Sequence, residues 1–215
     1  MRIPIKGIEA RIIGDTLVVS SEIPLKILSS DVLEGGFFHA RYILNHRVEL
    51  DYDHDSPAGD MEKVLDGIGI KEKAAGMMTA VDLENIHVTT CEDVTAVITG
   101  GVTNAIASGE KQEGVGTINI ILLIDANLSD AAMVNAVINA TEAKTLALRD
   151  LNVKSKRSDE LATGTSTDTI VIACTGKGEQ LKYTGNATAI GECIGLAVRK
   201  ATREAIIKQE KLLSI

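Results

Sequence analysis

The chain has 215 residues, 45% of them hydrophobic and 2% aromatic, so a sizeable core must be built from Ile, Val, Leu and Ala. A formal net charge of −8 argues against a surface that tracks nucleic-acid phosphates, and so few rings argue against a base-stacking platform. No apolar run approaches the roughly 20 residues that span a bilayer, and the first ten residues are too charged for a secretory signal. The three cysteines, Cys91, Cys174 and Cys193, are widely spaced without a C-x-x-C pair, which suggests a reducing compartment and no disulfide framework. The expectation is a cytoplasmic protein of one domain, residues 1–215, with no membrane or nucleic-acid partner.

Residues 8–13 and 16–20 read as two strands joined at Gly14-Asp15, a two-residue hairpin signal, and residues 25–28 continue the meander. After Gly35-Gly36, residues 37–48 alternate as a further strand. Residues 51–59 read as an acidic loop, 60–65 as a short helix and 71–78 as a second short helix. Residues 84–90 and 94–99 read as strands, and Gly100-Gly101 opens a loop rich in Gly, Ser, Thr and Asn.

The stretch 114–153 organises the chain. Residues 117–124 are an almost unbroken β-branched and aliphatic run, the pattern of a strand buried on both faces. Asp125-Ala126-Asn127 ends it, and Ser129 caps a helix reaching about Leu148. Val134, Ile138, Thr141, Thr145 and Leu148 recur along it at helical spacing, so that it packs back on the strand. A charged connection (154–160) and a polar turn (161–168) lead into a buried strand, 169–174. Residues 187–211 form a long amphipathic helix with Ile190, Ile194, Ala197, Ala201 and Ala205 on one face and Arg199, Lys200, Arg203 and Lys208 on the wet face. Gly191 and Gly195, four apart, allow close backbone approach. Early hairpins and late strand-helix units give an α+β fold, its sheet mixed or largely antiparallel and flanked by long helices.

Several constellations are weak. Asp51, Asp53 and Asp55 with Glu62 at the twelfth position imitate a calcium loop, but the sixth position is Ser56 where a glycine is required. The histidines lack zinc-hydrolase spacing, and no metal site is expected. No glycine loop has the phosphate-binding pattern of a nucleotide hydrolase. Cys91, followed by Glu92 and Asp93, is poorly placed for a nucleophile because both carboxylates oppose its thiolate. What remains is polar residues at strand edges: Thr99, Asn104, Thr117, Asn119, Asp125, Thr163, Thr165, Thr167 and Asp168, with Glu142 on the helix. Glycines beside threonines can supply an oxyanion hole. They also make ordinary turns, so composition leaves the function undecided.

At these residues the chain resembles the adenosylcobinamide amidohydrolase family. The carrying segments are GMMTAV (76–81), VTAVITGGVTNA (94–105), GTINIILLIDANLSDAAMVNAVINATEAKTLALRDLNV (116–153), ATGTSTDTIVIA (162–173) and YTGNATAIGECIGLAV (183–198). NHRV (45–48) precedes the acidic loop. The family's usual TAGVSNA-like segment reads TGGVTNA here, with Asn104 retained. The resemblance implies hydrolysis of the amide joining a corrin propionate arm to aminopropanol, giving adenosylcobyric acid and 1-amino-2-propanol for cobamide salvage. The corrinoid is then a substrate and no cofactor is implied.

A fainter likeness concerns mechanism. GTINIILLIDA is similar to the nucleophile strand of the ornithine acetyltransferase and aminopeptidase group, which self-cleaves before a Thr or Ser. That likeness implies Thr117 as nucleophile, with Asn104 or the Gly100-Gly101 backbone serving the oxyanion and Asp168 or Glu142 orienting groups or carrying protons. Asn45, His46, Asn119, Thr163 and Thr165 are expected to line the substrate site. The group's four-layer arrangement, helices around two sheets, fits the element order. The rival mechanism is a water activated by Glu142 or Asp168. A non-catalytic corrinoid-binding module is the alternative function, weakened by the lack of the D-x-H-x-x-G pattern of corrinoid carriers. A structural protein whose threonines are turn residues is the third. The oligomeric state is left open, with a homo-oligomer among the expectations.

Overall fold

The computed structural model describes residues 1–111 and 116–213. The expected start of the organising stretch, Gly114 and Val115, lies outside the described residues. In chain order come β1 (Ile8–Ile13), β2 (Thr16–Ser29), β3 (Gly36–Arg47), α1 (Pro57–Ile68), β4 (Ala74–Thr79), β5 (His87–Cys91), β6 (Val94–Gly100) and β7 (Ala105–Ile106). β8 (Ile118–Ile124), β9 (Asn127–Leu128), α2 (Asp130–Asp150), β10 (Gly164–Thr165), β11 (Thr169–Cys174), β12 (Gln180–Leu181) and α3 (Ala189–Leu213) follow. An 8-stranded mixed sheet runs β4-β3-β2-β11-β8-β6-β5, with β1 on β2. Within this sheet β8 and β11 are parallel to each other, as are β3 and β4, and its other pairings are antiparallel.

The α+β expectation and most of the strand positions hold. Gly14 takes the positive φ of 54° that the tight β1–β2 turn requires. β2 is interrupted between Ser20 and Leu25, where its register against β3 shifts. Pro24 sits in this gap and has no N–H to give a ladder. The break lets one continuous sheet fold over on itself, and alternate side chains then feed different cores. Ile120, Leu122 and Ile124 of β8 face α2 and α3. Ile121 and Leu123 face inward, toward Leu17, Val19, Ile43 and Met77 from the other half of the sheet. On the far side, Val18, Leu44 and Ala74 pack with Met61 of α1. The layers are therefore the α2/α3 pair, one half-sheet, the other half-sheet, and α1.

Three expectations are corrected. Residues 71–78 do not form a second helix, because Ala74–Thr79 pairs parallel with β3. Ala75 and Met77 point into the core, and the Gly76 N–H donates to Asp31 Oδ1 at 3.1 Å, so tertiary pairing overrides local helix propensity. The buried face of α2 is Ala132, Met133, Ala136, Ala140, Ala143, Ala147 and, as expected, Leu148, whereas Val134 and Ile138 are 47% and 51% exposed. Small residues win that face because α3 packs there with small residues of its own, Ala197 and Ala201, in the same core. Finally, Cys91 and Cys193 are joined as a disulfide, with Cα atoms 5.2 Å apart, tying β5 to the first turns of α3. The two cysteines are 102 residues apart, so no sequence spacing signals the pair. Cys174 stays free, its thiol pushed up to about 12 by burial, which makes it inert.

Disulfides typically contribute about 2–4 kcal/mol. At roughly 2–4 °C per kcal/mol for a chain of this size, reduction is expected to lower the melting temperature by about 4–16 °C. Circular dichroism melts with and without a phosphine reductant check this. Three alkylatable thiols in the unreduced, unfolded chain would overturn the pairing.

Candidate active site

Thr117 stands one residue ahead of β8 and is 3% exposed. Its hydroxyl is 2.7 Å from Asn119 Oδ1 and 2.8 Å from the Thr167 carbonyl oxygen. Asn119 Nδ2 donates to Asn45 Oδ1 at 2.8 Å and to the Met78 carbonyl at 2.7 Å. Asn45 Nδ2 in turn donates to Thr99 Oγ1 at 3.0 Å. This buried chain of amides and hydroxyls crosses between the half-sheets and consumes the polar groups that burial would otherwise leave costly. It fixes the Thr117 side chain from below.

The polar turn before β11 closes the site from above. Thr167 supplies the carbonyl that faces the Thr117 hydroxyl, and its own hydroxyl donates to the Gly116 carbonyl at 2.9 Å. Asp168 Oδ1 accepts from Ile118 N at 3.1 Å and from the Thr165 hydroxyl at 2.5 Å. Asp168 Oδ2 accepts from Lys144 Nζ, and the Thr165 N–H is shared between both oxygens at 3.2 Å. Asn104 Nδ2 donates to Ser166 Oγ at 2.6 Å. Its Oδ1 lies against Gly116, where a Cβ would come within 2.2 Å of it, so residue 116 must lack a side chain.

Thr117, Thr167 and Thr169 line a cleft of about 200 Å³ with Met78, Thr79 and Tyr52. That cleft shares Val48, Tyr52 and Met78 with a cavity of about 570 Å³ rimmed by His46, Asp51, Asp53 and His54. The acidic loop of the sequence thus borders the Thr117 cleft. Asp60 there is held well below the usual carboxylate range by Lys63, His54 and Tyr52, and the Tyr52 phenol is pushed up to about 12 by burial and by Asp60. On the other side of the 163–169 turn, Thr163, Thr165, Asp168 and Lys144 line a polar cavity of about 740 Å³.

Six expected site residues therefore meet, Thr117, Asn119, Asn45, Asn104, Asp168 and Thr165, and Thr163 lines the cavity on the far side of the turn. Thr163 Oγ1 accepts the Ser108 N–H at 2.9 Å, and its carbonyl accepts from Thr145 at 3.1 Å. Gly100 pairs with Ile118 across the ladder. The Gly101 N–H donates to the Thr117 carbonyl at 3.1 Å, so it is engaged in holding the strand. His46 is half-buried and sits 2.8 Å from Thr16 Oγ1 at the cavity rim. Burial lowers its pKa, partly opposed by Asp15. Glu142 is not brought to Thr117: it lies exposed on the outer face of α2, in a hollow with Glu192 and Arg199. Asp125 closes the opposite end of β8, bonded to Thr175 at 2.8 Å and Lys177 at 2.6 Å. Burial alone would raise its pKa, but these two donors outweigh that and lower it.

Two residues escaped sequence reasoning. Thr167 belonged to the polar set without a role, because its double contact depends on the turn's path. Lys144 was passed over, although a lysine among Ala136, Ala140, Ala143 and Ala147 on an otherwise small-residue helix face was a readable sign of a buried charge.

Chemically, both partners of the Thr117 hydroxyl are carbonyl oxygens, one amide and one main-chain, which do not take a proton at neutral pH. The oxygens of Asp168 are committed to Ile118, Thr165 and Lys144. The site thus presents a buried, oriented hydroxyl beside a polarised Gly116 carbonyl, an arrangement suited to acyl transfer once a base is supplied.

Residues 4–214 match the family model for adenosylcobinamide amidohydrolase. The chain belongs to that family, whose name specifies an amidohydrolase. An adenosylcobinamide amidohydrolase of Methanosarcina mazei is 33% identical over 183 residues, covering 81% of this chain and 86% of that protein. One of Halobacterium salinarum is 30% identical over 154 residues, covering 65% and 62%. An uncharacterised protein of Methanocaldococcus jannaschii is 37% identical over 227 residues, covering 92% and 88%. Among the described residues, no helix is long and apolar enough to cross a membrane.

Proposed function

We propose that this protein hydrolyses the amide of adenosylcobinamide, releasing 1-amino-2-propanol and adenosylcobyric acid for reuse in cobamide synthesis in the cytoplasm. The corrinoid is the substrate, and the reaction uses no resident cofactor and no nucleic-acid partner. Beside the family membership, the observation that carries this reading is the Thr117 hydroxyl on the wall of the cleft with the Gly116 carbonyl held by Thr167.

In this mechanism the chain first prepares its own base. The Thr117 hydroxyl oxygen adds to the Gly116 carbonyl carbon, whose oxygen receives the Thr167 hydroxyl hydrogen bond. The C–N bond breaks as the hydroxyl proton passes to the leaving Thr117 nitrogen, which departs as an amine, and water hydrolyses the resulting ester. Thr117 is left with a free α-amine next to its own hydroxyl, the base that its present partners cannot be. The hydroxyl then attacks the substrate amide carbon, and the amine passes the proton to the departing aminopropanol nitrogen. Water cleaves the acyl-threonine ester to give the acid. Asn104 sets its acceptor Oδ1 against Gly116, so it would serve the oxyanion by its Nδ2, which must turn from Ser166 Oγ to do so. The water rival asks Asp168 to act as base, which its four donor contacts oppose.

The test is mass spectrometry of the purified protein incubated with adenosylcobinamide. Adenosylcobyric acid and aminopropanol are expected. Intact substrate with a folded protein would remove the hydrolase reading, and tight binding without turnover would leave a corrinoid-binding module. Intact mass of the protein itself is expected to show fragments split between Gly116 and Thr117. A single unbroken chain that is active would remove the self-cleavage step.

A further inference from the structure

We infer that Lys144, on α2, is a positioning residue for Thr117, acting through Asp168 on both the strand and the turn that frame the hydroxyl. The inference rests on Thr117 as nucleophile, but its structural half does not.

Lys144 is 9% exposed and spends its charge on one oxygen of Asp168. The other oxygen reaches across to the N–H of Ile118, the residue directly after Thr117, and to the Thr165 hydroxyl. One carboxylate therefore pins the start of β8 to the 163–168 turn. The same turn ends in Thr167, which touches Thr117 by its carbonyl and Gly116 by its hydroxyl. Residues of this turn divide between two cavities: Thr165, Ser166 and Asp168 line the one that holds Lys144, and Thr167 and Thr169 line the Thr117 cleft. The turn is a thin wall, anchored to α2 at its start by Thr145, which donates to the Thr163 carbonyl, and at its end by Lys144 on Asp168. Gly164 gives a separate sign of how tightly wall and anchor are packed. A Cβ there would fall 2.4 Å from Asp168 Oδ2 and 2.7 Å from Lys144 Nζ. A half-buried carboxylate whose cation is removed loses its main electrostatic partner, and the wall is then free to shift by fractions of an ångström. Displacements of about 1 Å at an oriented nucleophile cost on the order of a hundredfold in rate.

The experiment measures kcat and KM for adenosylcobinamide in Lys144→Met, Lys144→Arg and Gly164→Ala, with amide hydrogen exchange followed on the same samples. For Lys144→Met, kcat is expected to fall about 30- to 100-fold with KM within about threefold, because orientation and not binding is lost. Lys144→Arg restores most of the rate by keeping the charge. Exchange in the 163–169 turn speeds at least about tenfold in Lys144→Met, while the β1–β2 hairpin keeps its protection. Gly164→Ala wedges the wall off the pair and gives the same kcat signature, which decides the matter if Lys144→Met does not fold. Unchanged kcat in the folded variants would overturn the inference, as would loss of protection spread evenly over the chain. If the wild-type chain does not turn over the substrate, the hydrolase reading fails on its own. The exchange of the turn in Lys144→Met then still supports or removes the anchoring role.

Discussion

Thr117→Ala is expected to lower turnover of adenosylcobinamide by at least about a thousandfold while leaving the chain folded. Removing a nucleophile in a site whose groups act as a unit costs at least this much. The hydroxyl also donates to the buried Asn119–Asn45–Thr99 chain, so some stability is lost as well. One missing hydrogen bond with its acceptor left buried costs about 1–3 kcal/mol, which a folded domain survives. Melting curves therefore separate the two effects: a drop of a few degrees beside a thousandfold loss of rate identifies chemistry. Thr117→Ser keeps the hydroxyl and is expected to retain turnover within about a hundredfold and to split at the same bond. A Thr117→Ala enzyme within about tenfold of the wild type would remove Thr117 as nucleophile and return the water mechanism.

Gly191→Ala is expected to destabilise the fold strongly, and Gly195→Ala to stabilise it slightly, although both remove a glycine from the same helix. At Gly191 a Cβ would sit 2.0 Å from the Gly185 carbonyl oxygen, 2.5 Å from its carbon and 2.7 Å from the Thr184 oxygen. These are main-chain atoms held in place, since Asn139 Nδ2 bridges the Thr184 and Gly191 carbonyls at 3.2 and 2.7 Å. The start of α3 would have to lift off, at a cost of about 3 kcal/mol or more. For a chain of this size that is roughly 6–12 °C in melting temperature. At Gly195 the nearest atom is Asn139 Oδ1 at 3.5 Å, an ordinary contact. Relieving a helix interior of glycine contributes about 1 kcal/mol, a rise of a few degrees. Thermal melts of the two variants side by side check the sign. Equal shifts would mean that the α3 N-terminus does not pack against residues 184–185 as described.

The sequence by itself determined the elements whose signals are local. The β-branched run of β8, the Gly14-Asp15 turn, the Ser129 cap and the amphipathic α3 were legible because each depends on neighbours within a few residues. The polar residues at the strand edges were also legible as a set, and most of them do converge on Thr117. What they converge through was not. Which polar atom satisfies which depends on strands that meet across the sheet, as when Asn45 of β3 receives Asn119 of β8, 74 residues away. Family resemblance supplied the chemistry, and geometry separated the residues it implied: Asp168 stands at the site, and Glu142 faces outward on the same helix that turns Lys144 inward. The helix at 71–78, the face of α2 and the state of Cys91 and Cys193 were misread for one reason. A local pattern states how often side chains recur, but partners far along the chain choose which face is buried. β4 needed β3, the alanines of α2 needed those of α3, and Cys91 needed a cysteine 102 residues on, so only the tertiary structure could decide them.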